Sequence, residues 1–134
     1  MTRINVIPVE ELSDQHLIAE YRELPRALKW KGLDISNAPD KYCLGVGHIK
    51  WGRKHWVFCF NRYKELVKEM EYRGFNPLFK EPPLDGINTD SYGYYIATPE
   101  DYKLNIKRIK ERYLMKPDWY RWTKRVKPDY LKGI

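Results

Sequence analysis

The sequence contains few cysteines and few histidines. Cys43 and Cys59 stand alone among 134 residues, without the paired spacing of a metal or redox site, and indicate reduced intracellular thiols. His16, His48 and His55 do not have the spacing of metal ligands. We therefore expect neither a metal nor a cofactor.

Long apolar segments are also missing. The longest uninterrupted apolar run, Trp56 to Phe60, is far shorter than the roughly 20 residues that a membrane-spanning helix needs. The N-terminus has no apolar stretch behind a basic segment, which argues against a secretory signal. We expect a cytoplasmic protein with no membrane partner.

The positive charge is concentrated near the C-terminus. The chain has 25 basic and 18 acidic residues, a net charge of +7, yet Lys103 to Lys127 alone contains ten basic and two acidic residues. Aromatic residues alternate with these cations, among them Tyr113, Trp119, Tyr120 and Trp122. This pattern suggests a polyanionic partner, most simply nucleic acid, and the alternative is an ordinary solvated basic face.

A first helix is predicted from Ser13, a good N-cap, with Asp14 in its first turn. Its apolar face is formed by Leu17, Tyr21, Leu24 and Leu28. Pro25 interrupts the pattern, so we expect a kink or restart near Glu23.

A second helix is predicted from about Lys54 to Arg73, with Gly74 at its end. Its buried face consists of Tyr63, Leu66, Val67 and Met70. A third is predicted from Thr98, with Pro99 in its first turn, to just before Lys116. Its buried face consists of Tyr102, Ile106, Ile109 and Tyr113.

The segments 32–47 and 76–95 are rich in Pro, Gly, Asn and Asp and show no alternating strand pattern. We therefore predict a mainly α protein, a single compact domain over residues 1–134, with three principal helices and long ordered loops. We expect a monomer.

The outward faces of the first helix carry an unusual set of charges. Gln15, Arg22 and Arg26 are spaced to form one stripe, while His16 and Glu23 lie on the neighbouring stripe. One carboxylate thus lies among several cations. An exposed ion-pair ladder is the simpler interpretation of this pattern.

The N-terminus offers a chemical alternative. Thr2 is small enough to allow removal of Met1, which leaves a free α-amine. The pKa of such an amine is about 7.7 to 8.0, so a substantial neutral fraction exists near physiological pH. A neutral amine is a nucleophile that forms Schiff bases with sugar carbons.

Short blocks of sequence carry a likeness to a known family. They include residues 1–5, Glu11-Leu12, 14–17, 19–26, Leu44-Gly45, Gly47-His48, Arg62, Glu65-Leu66, Glu69, 73–76, Tyr95-Ile96, Arg108, Pro117 and Trp119-Tyr120. In collinear order these blocks closely resemble the bacteriophage pyrimidine-dimer DNA glycosylase/AP lyases, which act on UV-damaged DNA.

The resemblance implies a compact helical enzyme that bends duplex DNA at a cyclobutane pyrimidine dimer and flips out a base opposite the lesion. It implies that the Thr2 α-amine attacks the anomeric carbon of the 5′ nucleotide of the dimer and forms an imine. Glu23 would then assist, and the strand would be cut by β-elimination without a metal.

The resemblance also implies a set of DNA-contacting residues. Arg3, Gln15, Arg22 and Arg26 would hold phosphates, and His16 would lie near the reaction centre. Basic and aromatic contacts would come from Arg108, Arg112, Trp119, Tyr120, Arg121 and Trp122. Without the resemblance, the last four residues are equally consistent with a tail packed over the core.

The chain departs from the family in three places. The stretch between Ala27 and Leu44 is shorter and less basic, Trp51 to Lys54 replaces consecutive aromatics, and Thr123 to Ile134 does not match closely. Two alternatives therefore stay open: a related glycosylase/AP lyase for another damaged base or abasic sites, and a non-catalytic basic DNA-binding module.

Overall fold

The fold is built from helices joined by long loops. The computed structural model describes residues 4–29 and 37–134. Within those ranges no strand is found, and one isolated parallel bridge joins Lys29 to Asp85. The α-helices are α1 (Asp14–Glu23), α2 (His48–Lys54), α3 (Trp56–Tyr72) and α4 (Pro99–Met115), and 3-10 turns cover Val9–Glu11, Leu24–Leu28, Pro117–Trp119 and Asp129–Leu131. The prediction of a mainly α fold is confirmed.

Helix α1 begins and ends where the sequence predicts. The Ser13 hydroxyl accepts a hydrogen bond from the backbone N–H of His16 at 3.0 Å, which caps the helix. Pro25 has no N–H to donate, and α-helical structure stops at Glu23. The chain continues as the 3-10 turn Leu24–Leu28, so the predicted interruption is confirmed.

The bounds of α3 and α4 also agree closely with the predictions. Helix α3 ends before Gly74, whose φ of 91° is the left-handed conformation typical of a residue that follows a helix. Helix α4 begins with a capping box in which Asp101 N–H donates to Thr98 Oγ1 and Thr98 N–H donates to the Asp101 carboxylate. It ends at Met115, before Lys116 and Pro117, as predicted.

Helix α2 was not predicted and adds a short helix of seven residues to the three principal helices, which are all present in the described residues. Gly52 lies inside α2 and weakens the helical pattern, because glycine is a poor helix former. Packing explains the glycine. A Cβ added there would lie 2.4 Å from Ile4 Cδ1 and 2.9 Å from Ala27 Cβ.

The predicted buried face of α4 was partly wrong. Tyr102 is 38% exposed, whereas Asp101 and Asn105 are buried on the same face as Ile109 and Tyr113. The polar pair can be buried because both side chains form hydrogen bonds, Asp101 within the capping box and Asn105 with the N-terminal segment. The apolar pattern alone therefore pointed to a face displaced by one residue.

The core lies between the N-terminal segment and the helices. Ile4, Val6 and Ile7 are buried among side chains of α1, α2 and α3 such as Leu17, Trp51 and Leu66. Segment 76–95 forms no helix, as predicted, whereas residues 32–36 of the other predicted loop lie outside the described residues. In the part of the chain that is described, no helix is both long and apolar enough to cross a membrane.

Candidate active site

Segment 4–7 lies in the interior, where side chains form hydrogen bonds with its backbone. The Ile4 N–H donates to His48 Nε2 at 3.0 Å, and Tyr42 Oη donates to the Ile4 carbonyl at 2.8 Å. His48 Nδ1 lies 2.7 Å from the Cys43 carbonyl and donates to it, which leaves Nε2 as the acceptor for Ile4. Both backbone polar groups of Ile4 are therefore held by side chains.

A buried ion pair ties the same segment to α1 and α3. The Glu20 carboxylate accepts bonds from Arg62 Nε at 2.8 Å and Nη2 at 3.0 Å, and from Asn5 Nδ2 at 2.9 Å. Burial alone would lower the pKa of Arg62, but Glu20 holds it above its ordinary value. The pairing with Glu20 keeps the buried Arg62 guanidinium charged.

Asn105 of α4 completes this network. Its Oδ1 accepts from the backbone N–H of Val6 at 2.7 Å and of Ile7 at 3.2 Å, while its Nδ2 donates to Asn5 Oδ1 at 2.7 Å. Sequence reasoning did not assign roles to Asn5, Glu20 or Asn105. A polar residue on an otherwise apolar helix face could have indicated such a role. Glu20, for example, lies three residues after the buried Leu17.

Helix α1 presents the predicted charged residues on its outer side. Arg22 and Arg26 are exposed and Glu23 is half-buried at the last helical position. Arg26 lies in the 3-10 turn that follows, where about three residues complete a turn. Of the predicted stripe, Gln15 and Arg22 therefore keep α-helical spacing, and Arg26 does not.

The segment after α4 returns to the N-terminus of α1. Gln15 Nε2 donates to the Trp119 carbonyl at 2.8 Å, and Gln15 Oε1 accepts from the Arg121 N–H at 3.1 Å. Trp122 Nε1 donates to the Glu11 carbonyl at 3.0 Å. The Gln15 amide therefore holds this segment in place.

The four predicted residues of this segment divide into two pairs. Tyr120 and Trp122 pack against the core, as the packed-tail interpretation predicts. Trp119 and Arg121 are exposed and accessible to a partner.

His16 lies at the junction of α1, α4 and the C-terminal segment. Its ring stacks on Tyr120, with ring centroids 4.9 Å apart. Burial lowers the pKa of His16 to about 4, and the positive charge of Arg112 adds to the effect. The imidazole is therefore neutral at pH 7, with Nδ1 3.1 Å from the Ser13 hydroxyl.

A cavity of about 170 Å³ brings His16 together with two predicted DNA-contacting residues of α4. It is lined by Asn5, His16, Ala19, Glu20, Arg108, Ile109 and Arg112. Arg108 also pairs with Glu111 at 3.6 Å. Two basic side chains thus line a cavity that also contains a neutral imidazole.

A second cavity, of about 510 Å³, lies between α1 and α3. Its lining is mainly aromatic and aliphatic and consists of Ile18, Tyr21, Arg22, Pro25, Tyr63, Met70, Phe75, Asn76, Pro77, Leu78 and Phe79. Tyr21 and Tyr63 stack at 5.4 Å, and both hydroxyls bond the Phe79 backbone. Arg22 adds a cation to this apolar lining.

Other chemistries have less support in the described residues. Their His, Cys, Asp and Glu side chains form no group of three or more that could hold a metal. Cys59 is fully buried, and burial raises the pKa of its thiol, as predicted for an inert core cysteine. The predicted nucleophile Thr2 and the predicted contact Arg3 lie outside the described residues.

Comparison with known protein families identifies the family to which the chain belongs. A family model described as pyrimidine dimer DNA glycosylase matches residues 1–80, more than half of the chain. The chain belongs to this family. Membership indicates a DNA-repair glycosylase that acts on pyrimidine dimers, and hence a DNA substrate.

The family match covers only part of the candidate site. It includes α1, the N-terminal segment, α2 and α3, and therefore Glu23, His16 and the Arg22 and Arg26 pair. Helix α4 and the C-terminal segment follow the matched residues. The match assigns no role to any single residue, so the roles of Glu23, His16, Arg22 and Arg26 remain predictions, as do those of Arg108, Arg112 and residues 119–122.

Proposed function

We propose that this pyrimidine dimer glycosylase excises cyclobutane dimers through the α-amine of Thr2 and then cuts the strand as an AP lyase. The family match supports glycosylase action on dimers. The observation that carries the finer proposal is the anchoring of Ile4, two residues after Thr2. Two residues span at most about 7 Å, so a fixed Ile4 limits where the amine can lie.

Packing around Gly52 supports a position for the amine near Glu23. Ile4 and Ala27 both crowd Gly52, and Ala27 lies four residues after Glu23. The N-terminal segment and the 3-10 turn that follows Glu23 therefore meet at one point of α2. This neighbourhood fits an amine and a carboxylate that act on the same sugar.

The proposed chemistry follows from these two groups. The neutral amine attacks C1′ as the bond from C1′ to the pyrimidine nitrogen breaks, and the base leaves with the electron pair. The nitrogen loses a proton, and the C1′–O4′ bond then breaks as O4′ takes up a proton, which gives a protonated imine. The Glu23 carboxylate stabilises positive charge on the sugar and assists removal of a 2′ proton, after which the C3′–O bond breaks.

The basic and apolar surfaces fit duplex DNA with an extrahelical base. Arg108 and Arg112 line the cavity of the neutral His16, and Arg22 and Arg26 are exposed at and just after the end of α1, so all four can supply cations for phosphates. We propose that the 510 Å³ cavity between α1 and α3 receives the flipped base, because its aromatic and apolar lining suits stacking.

Borohydride trapping on a duplex with one site-specific thymine dimer tests the proposal. We expect a covalent adduct with wild-type protein whose N-terminus is shown by mass to be Thr2. Glu23→Gln is expected to lose strand cleavage by at least a hundredfold, in line with loss of a positioned acid or base. Glu81→Gln, which removes an exposed carboxylate from a loop, is the matched control and should cleave normally.

The other outcomes separate the remaining interpretations. An adduct on an abasic duplex but not on the dimer would keep the amine chemistry and reassign the lesion. The absence of an adduct on both duplexes, from protein that begins at Thr2, would overturn the proposal in favour of a DNA-binding module.

A further inference from the structure

A third cavity, of about 480 Å³, lies where α4 meets the segment that follows it. It is lined by Tyr113, Pro117, Asp118, Tyr120, Arg121, Trp122, Arg125 and Lys127. Arg125 and Lys127 belong to the C-terminal stretch beyond residues 1–80 and have no part in the mechanism proposed above. Three cations face this cavity against one carboxylate.

The three cations differ in how far their charge is neutralised. Arg125 donates to both oxygens of Glu69 at 2.9 Å, so its charge is compensated. The Lys127 ammonium lies 4.8 Å from the centre of the Tyr113 ring, a contact that orients the cation without neutralising it. Among the ion pairs of the described residues, none involves Lys127 or Arg121.

The side chain of Arg121 is held by the backbone of the residues that precede it. Its Nη1 donates to the carbonyls of Asp118 at 2.6 Å and of Tyr120 at 3.2 Å. In the described part of the chain both side-chain bonds of Arg121 use this one nitrogen, which leaves Nε and Nη2 to face an anion. A fixed guanidinium and an oriented ammonium that line the same polar cavity are the kinds of group that bind a phosphate.

The stacked rings of His16 and Tyr120 separate this cavity from the one at Arg108 and Arg112. His16 lines the smaller cavity, Tyr120 lines the larger one, and their centroids are 4.9 Å apart. A DNA strand carries a phosphate about every 3.4 Å along the helix axis. A strand held at the smaller cavity therefore presents further phosphates to its neighbour.

We propose that Lys127, beside the Arg121 contact already expected from the sequence, binds a backbone phosphate of the DNA that flanks the lesion and so extends the interface beyond the reaction centre. This inference rests on the proposed function insofar as the polyanion is DNA. The site does not distinguish between DNA sequences, because a contact with a phosphate contributes only affinity and register. Its chemical signature is the salt dependence of binding.

Binding of undamaged duplex DNA, measured by fluorescence anisotropy across a range of salt concentrations, tests this site. Each neutralised phosphate contributes about 0.9 to the slope of log K against log salt. Lys127→Gln should therefore lower the magnitude of the slope by about one and weaken binding, and Lys127→Arg should restore both. Lys132→Gln is the control because Lys132 carries the same charge, pairs with Asp129 at 3.2 Å and does not line the cavity.

The outcomes decide the proposal independently of the chemistry. An unchanged slope of log K against log salt in Lys127→Gln would overturn the proposed site. An equal change in Lys132→Gln would also overturn it, because it would show that any surface charge contributes to binding. Dimer cleavage by wild type together with an unchanged slope in Lys127→Gln would leave the proposed function intact. A specific slope change in a protein that traps no dimer would support the phosphate site and contradict the catalytic proposal instead.

Discussion

The imidazole of His16 lies nearly parallel to the phenol ring of Tyr120, with 18° between the ring planes. The two residues are 104 positions apart, so the contact joins the beginning of α1 to the segment that follows α4. It covers one face of His16 and contributes to the burial that lowers the pKa of this imidazole to about 4. The C-terminal segment therefore helps to set the protonation state of a candidate site residue.

The first prediction concerns this stacking. Tyr120→Ala should expose the imidazole to water and raise the pKa of His16 towards its ordinary value of 6.5, because burial is the main cause of the shift. Tyr120→Phe keeps the ring and should leave the pKa low. Titration of the His16 Cε1 proton by NMR measures both, and a pKa that stays near 4 in the alanine variant would refute the explanation.

The second prediction is a loss of stability in mild acid. Burial lowers the pKa of both His16 and His55 to about 4 in the folded protein. Below pH 6.5 the unfolded chain therefore takes up protons that the folded protein does not, and the free energy of unfolding falls from pH 7 towards pH 4. Urea unfolding at pH 7 and pH 5 should show the decrease.

His16→Gln isolates the contribution of one residue to this pH dependence. Glutamine does not titrate, so the difference in stability between pH 7 and pH 5 should be smaller in the variant than in the wild type. An identical difference in both proteins would mean that other groups cause the acid sensitivity.

The boundaries of the helices could be predicted because they depend on local chemistry. The Ser13 cap, the Thr98 capping box, Pro25 and Gly74 act within one turn of chain, and each lies where the sequence places it. Helix α2 could not be predicted in the same way. Gly52 opposes helix formation locally and is required by Ile4, which lies 48 residues away in the sequence.

The candidate site shows the same division between local and distant causes. The charged face of α1 follows from helical spacing, and residues 19–26 could be singled out from sequence. The network of Glu20, Arg62 and Asn105 depends on pairings 42 and 99 residues apart, which no spacing rule reveals. The hydrogen bonds of Gln15 with Trp119 and Arg121 could not be predicted either, because these residues are 104 and 106 positions away in the sequence.

The third prediction concerns Asp14, which joins the C-terminal segment to the core. Its carboxylate accepts bonds from Arg73 Nη1 at 2.9 Å, Thr123 N–H at 3.0 Å and Thr123 Oγ1 at 2.6 Å. Asp14→Ala should lower the free energy of unfolding by about 3 kcal/mol, because the buried Arg73 loses a partner. Thr123→Val removes only the hydroxyl bond and should cost about 1.5 kcal/mol.

Chemical denaturation of the two variants checks the order of these effects. Equal losses would mean that the ion pair with Arg73 adds nothing beyond the hydroxyl bond. Arg73 retains its bond from Nε to Glu69 at 2.8 Å in either case.

The fourth prediction concerns the contact between α2 and the N-terminal segment. Gly52→Ala should destabilise the protein by about 1 to 3 kcal/mol through overpacking, despite the better helix propensity of alanine. Ile4→Val removes the Cδ1 atom that lies 2.4 Å from the added Cβ. The double variant should therefore recover part of the loss seen by thermal unfolding, and additive losses would contradict the assigned clash.

The fifth prediction tests the cavity between α1 and α3 as the receptor for an extrahelical base. With 2-aminopurine opposite the dimer, wild-type protein should increase the fluorescence of the probe as the base leaves the stack. Ile18→Trp adds volume to the lining and should suppress this increase, while Val46→Trp, at a fully exposed loop position, should not. Because Ile18 lies outside the proposed chemistry, Ile18→Trp should still form a borohydride adduct at an abasic site. Suppression by both tryptophan variants, or by neither, would mean that the base is held elsewhere.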